Sequence, residues 1–216
     1  MPSYLEHPIT LASFEQISQE MSAHNLTSAE YAVVRRAIHT TADFEFQQLV
    51  KFAHNPFQAA LLALKQGRPI VTDVSMVAAG IRGVVAKTWQ VPVAIAINQT
   101  CDGLSIPSLT PPRDLLPDET RSAYGLKRCA SCYPNAIVAI GNAPTALLAL
   151  CEGIDQGLWS PALVVGAPVG FINVVESKQR LASLNVPQII VEGRKGGSAV
   201  AAAIVNALMI WAWEHE

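Results

Sequence analysis

Short apolar runs recur along the chain at residues 70–74, 93–97, 136–140, 162–165 and 188–191. Each is four or five residues long and rich in Val and Ile, as expected of strands covered on both faces. Helical patterns lie between most of them, over 119–128, 145–156 and 173–183. Strands alternating with helices predict an α/β fold in which a mainly parallel five-stranded sheet carries helices on both faces.

Extra helices precede the sheet. Thr10 is placed to cap a segment running to about Ala23, and Thr27 or Ser28 to cap the next, with Glu30 in its first turn. Tyr31, Val34 and Ile38 recur there at helical spacing, so one stripe is buried. That helix weakens at His39-Thr40-Thr41, where β-branched residues follow one another. A third helix is expected over 56–66, opened by Pro56 and closed by Gly67. The last, 198–213, is apolar almost all round and must pack in the core or against a second subunit. Its apolar stretch is shorter than the span of about 20 residues that a bilayer requires. The one long irregular stretch, 105–118, holds Pro107, Pro111, Pro112 and Pro117. The α/β alternation resumes after it, so it reads as a long loop, of the kind that serves a site, inside one domain of 216 residues.

Composition removes several function classes. A net charge of −2 supplies no concentrated positive field for nucleic acid, nor for a membrane surface. Residues 1–7 lack the basic start and apolar run of a signal peptide. Cys129 and Cys132 form a Cys-x-x-Cys pair, but Cys101 and Cys151 stand apart, so neither a disulfide framework nor a zinc site follows. The cytoplasm is the expected compartment.

Ligands of open parallel sheets bind beyond the carboxyl ends of the strands. Here those ends carry Asp73, Asn98-Gln99-Thr100, Gly141-Asn142, Gly166-Ala167-Pro168 and Glu192-Gly193-Arg194-Lys195-Gly196-Gly197-Ser198. Such turns serve either as ordinary caps or as a ligand edge, since glycine admits close backbone approach and helix starts offer free N–H groups. Neither the Gly-x-Gly-x-x-Gly nor the Walker pattern is present. Arg194 and Lys195 suit a carboxylate or phosphate, or else a solvated turn. Of five histidines, His7, His24, His54 and His215 sit in polar or terminal contexts. His39 follows the apolar helix, with Asp43 four residues on; it is either a catalytic base that Asp43 orients or a residue stabilising its own helix end. Without a nucleophile elbow or metal-ligand cluster, the chemistry favoured needs one proton donor and a shaped pocket, as an isomerisation does.

Five strings then become informative together. They are Arg36-Ala37-Ile38-His39-Thr40-Thr41, Asp73-Val74-Ser75-Met76-Val77-Ala78-Ala79-Gly80-Ile81, Ala139-Ile140-Gly141-Asn142-Ala143-Pro144-Thr145-Ala146-Leu147, Gly166-Ala167-Pro168-Val169-Gly170-Phe171 with Glu176-Ser177-Lys178, and Gly193-Arg194-Lys195-Gly196-Gly197-Ser198. In content and order the chain resembles the precorrin-8X methylmutases from about residue 13 to 209. The resemblance implies a doubly wound, flavodoxin-like fold, a homodimer and a corrinoid polycarboxylate substrate. It implies isomerisation of precorrin-8X to hydrogenobyrinic acid, or of cobalt-precorrin-8 to cobyrinic acid, by moving a methyl from C-11 to C-12 without any cofactor or catalytic metal. His39 matches the family's proton donor and acceptor. Ser13 and Arg121 match substrate-binding residues, and Asp73, Asn142, Lys178, Arg194 and Ser198 are expected to join them. The alternatives are a non-catalytic corrinoid carrier and an unrelated phosphoryl-substrate enzyme.

Overall fold

The computed structural model describes residues 6–98, 100–101, 104–105 and 119–216. Apart from Ser105, the predicted loop 105–118 lies outside them, as does Gln99. Three helices come first: α1 (Pro8–Glu20), α2 (Ser28–Thr41) and the short α3 (Phe46–Leu49). The cap of α1 is His7 rather than Thr10: His7 Nδ1 accepts from Ile9 N at 3.2 Å, and Pro8 fills the first helical position. Thr27 and Glu30 form a reciprocal capping box on α2. The strand β1 (Val50–Ala53), absent from the sequence reading, precedes α4 (Pro56–Lys65), and Gly67 at φ +65° closes that helix as expected.

The five predicted strands are all present. They are β2 (Ile70–Thr72), β3 (Val93–Ile95), β6 (Ile137–Ile140), β7 (Leu163–Gly166) and β8 (Gln188–Val191). Two short strands, β4 (Thr100–Cys101) and β5 (Leu104–Ser105), extend the sheet beyond β3. The sheet therefore has eight strands among the described residues, in the order β1-β8-β7-β6-β2-β3-β4-β5, not five. Its parallel centre is the predicted set, and β1, β4 and β5 add antiparallel edges. Numbered by themselves, the five central strands run 2-1-3-4-5, the flavodoxin-like order, with the switch point between β2 and β6.

Between β2 and β3 lies α5 (Ser75–Lys87), which the periodicity did not reveal because Gly80 and Gly83 interrupt it. Gly80 has a packing reason: a Cβ there would lie 2.7 Å from that of Ala202. The remaining helices are α6 (Arg121–Cys132), α7 (Pro144–Asp155), α8 (Val174–Ala182) and α9 (Ser198–Glu214). Strand side chains alternate between two cores. Ile70, Ile137, Val165 and Ile189 pack with α2, α4, α5 and α9, whereas Val71, Val138, Val164 and Ile190 pack with α6, α7 and α8. The apolar α9 is satisfied within the chain, wedged against α2, α4 and α5. No helix among the described residues is long and apolar enough to cross a membrane.

Candidate active site

α2 carries His39 on its last turn, and the chain leaves the helix at Ala42, whose φ of +55° turns the backbone aside. That turn overrides the helical extrapolation to Asp43. The Asp43 carboxylate does not orient His39; it accepts from Glu45 N at 2.9 Å and from Lys195 Nζ at 2.6 Å, and Glu45 also accepts from Lys195 at 2.6 Å. Lys195 holds Asp43 below the ordinary carboxylate range, and the two acids raise Lys195 in return. These contacts tie the segment after His39 to the loop at the carboxyl end of β8.

The partner of His39 is Ser13 on α1, its Oγ 2.9 Å from Nδ1. The edge of the imidazole meets Phe14, with ring centroids 5.3 Å apart at 72°. Nδ1 is thereby engaged, and Nε2 has no partner among the described residues. Burial, and secondarily the Arg36 charge, lower the His39 pKa from its ordinary value. Arg36 pairs with Glu6 and is itself brought down to about 10 by burial. The Phe14, Arg36 and Lys195 contacts around this histidine were not legible in the sequence, since they depend on tertiary docking.

The other candidates divide into two groups. Asn142, Arg121, Arg194 and Ser198 lie at the carboxyl edge, the first three exposed and Ser198 half-buried. Arg121 opens α6, where Thr120 Oγ1 caps Ala123 N and bonds Thr145 Oγ1 on α7 at 2.7 Å, so the two helix starts are side by side. Gly141, next to Asn142, abuts α9: a Cβ there would lie 2.7 Å from Ser198 Cα. Arg194 carries its guanidinium 5.7 Å from the centroid of Phe171.

Asp73 and Lys178, also expected among the substrate-binding residues, lie beneath that edge with their polar atoms engaged by backbone groups. Asp73 is fully buried at the switch point, and its two oxygens accept from Val74, Gly141, Asn142 and Ala143 N at 2.8–3.1 Å. Burial raises its pKa, against the pull of those four N–H groups. It is the staple that joins β2 to the β6–α7 turn. Lys178 is 2% exposed and donates to Gly193 O and Lys195 O at 2.8 Å, so it holds the β8–α9 loop from below. A cavity of about 330 Å³ opens on its other side, lined by Lys51, Val175 and Glu192 among others, and not by His39.

These features define a doubly wound α/β protein whose carboxyl edge carries Arg121, Arg194 and Lys195 beside the starts of α6, α7 and α9, with the segment after His39 tied to it through Asp43. The family model for precorrin-8X methylmutase matches residues 8–211, and the chain belongs to that family of cobalamin-biosynthesis isomerases. It is 47% identical to the cobalt-precorrin-8 methylmutase of Synechocystis sp., covering 98% of each chain. It is 36% identical to the precorrin-8X methylmutase of Pseudomonas aeruginosa over 91% of each. The crystal structure of a precorrin-8X methylmutase from Thermus thermophilus superposes with a TM-score of 0.82 at 36% identity, covering 97% of this chain and 99% of that one.

Proposed function

We propose that His39 is the proton donor and acceptor of a methyl shift from C-11 to C-12 of a corrinoid. The observation that carries the reading is the Ser13–His39 bond, 2.9 Å long, which engages Nδ1 and leaves Nε2 without a partner among the described residues. With Ser13 Oγ accepting from Nδ1–H, the imidazolium offers Nε2–H outward. Protonation of the macrocycle draws electron density from the conjugated system. The methyl then migrates with its bonding pair, and the neutral Nε2 takes the proton back. Nothing is consumed, as an isomerisation requires. Positioned proton transfer of this kind contributes about 10²–10⁴-fold in rate.

Arg121, Arg194, Asn142 and Ser198 are the groups offered to the peripheral carboxylates, as charge-assisted or backbone-flanked donors. The substrate favoured is cobalt-precorrin-8, the name carried by the relative at 47% identity. The reading also takes the protein as a cytoplasmic homodimer, and sedimentation equilibrium on the full chain tests the association state. For the mechanism, His39→Ala is expected to bind corrinoid product while turning over at least 100-fold more slowly, on that same proton-transfer scale. Normal turnover by this variant refutes the assignment. Parallel kcat/KM measurements with cobalt-loaded and metal-free substrate test the choice of corrinoid, and equal values count against a preference for cobalt.

A further inference from the structure

The loop after β7 exposes what a fold normally hides. Val169, Phe171 and Ile172 are 45%, 81% and 79% exposed within four consecutive positions. Clustered apolar exposure of this kind marks a binding surface more often than isolated exposed residues do. The backbone is built to present it. Gly170 at φ +143°, open to glycine, and Asn173 at φ +58°, a left-handed conformation costly for a non-glycine residue, bracket Phe171-Ile172.

The surroundings of the loop are specific. Gly170 N donates to Arg194 O at 3.3 Å, and Gly197 N donates to Ala167 O at 2.8 Å. Gly196 passes so close beneath the loop that a Cβ would lie 2.4 Å from Ala167 O. Val174, just beyond, is 1% exposed and anchors the start of α8. The loop is thus braced by the β8–α9 segment, which Lys195 ties to the residues following His39.

We infer that the 169–172 loop is the platform on which the apolar face of the corrinoid lies, with Phe171 and Ile172 against the ring and Arg194 pairing one rim carboxylate. The inference rests on the reading of His39 as proton donor to this substrate. Charge complementarity selects the occupant. A guanidinium 5.7 Å from the Phe171 centroid matches a flat apolar ring edged by anions. A second copy of the chain laid on this surface would have to supply both an apolar face and an acidic rim.

The test uses the full chain carrying Phe171→Ser, Ile172→Ser or Arg194→Gln. KM and kcat are measured with cobalt-precorrin-8, and association state by sedimentation velocity. Affinity for cobyrinic acid is measured separately in a His39→Ala background, so that platform and proton donor are scored apart. Phe171→Ser is expected to weaken product binding by about tenfold or more, the scale of losing one buried aromatic contact, with sedimentation unchanged. Phe171→Tyr keeps the ring and is expected to keep the affinity. Unchanged product binding in Phe171→Ser overturns the inference. So does dissociation of the assembly with binding intact, which would make the loop a contact between copies. Normal turnover by His39→Ala with weakened binding in Phe171→Ser removes the proton-donor reading alone.

Discussion

Replacing Asp73 by Asn separates a staple from a substrate contact. The substitution keeps the shape but turns one carboxylate oxygen into an NH₂ group. Oδ1 accepts from Val74 and Gly141 N, and Oδ2 from Asn142 and Ala143 N. Whichever oxygen is lost, two N–H donors, one of them buried and one part-buried, then face another donor. An unmet buried donor costs about 1–3 kcal/mol, so the variant is expected to lose about 2–6 kcal/mol. For a chain of this length that is a fall in Tm of roughly 4–24 °C, at about 2–4 °C per kcal/mol. Differential scanning calorimetry measures the loss, and KM at a temperature where both proteins are folded should differ little. A Tm within 2 °C of the parent, together with a raised KM, would return Asp73 to the ligand-binding groups and refute the reasoning.

Three further outcomes are expected. Lys178 titrates at about 8 in the fold against 10.5 when exposed. Between those values the unfolded chain holds the extra proton, so Lys178 contributes stability that rises with pH, by at most about 3 kcal/mol. Urea melts of the parent and of Lys178→Met at pH 7.5 and 10.5 should show their difference moving in the parent's favour; a flat difference refutes it. Because only protonated His39 donates, kcat/KM should fall as pH rises through its lowered pKa. Arg36→Met in a Glu6→Gln background removes one cause of the lowering, so that limb should move to higher pH, and a stationary limb counts against the assignment. Gly125→Ala places a Cβ 2.0 Å from Ala96 O, where α6 crosses the turn after β3, and should destabilise by more than about 2 kcal/mol in a chemical melt.

Legibility in the sequence followed the range of the interactions. The five central strands were readable because burial on both faces leaves a continuous apolar run, whatever the neighbours. β1 was not, since half of its four residues are only partly covered and its single pairing partner, β8, lies some 140 residues on. α5 was hidden by Gly80, chosen for its contact with α9 at the expense of helix propensity. His39 stood out by its place on α2, but its partner did not, because local spacing pointed to Asp43 while the turn at Ala42 sends that carboxylate to Lys195. Asp73 read as a ligand group because it is charged and ends a strand, and Lys178 because it stands in a string shared with the family the chain resembles. Their partners are backbone groups, which leave no trace in side-chain chemistry.

The bond between Lys195 and Asp43 spans 152 positions of chain. Its two ends enter a growing polypeptide far apart in time, and the histidine's surroundings stay incomplete until β8 and the loop after it have emerged. A nascent or C-terminally clipped chain would hold every residue of the N-terminal half yet no working site. The surroundings of His39 therefore close only after Lys195 has been made, whatever the order in which the earlier elements fold.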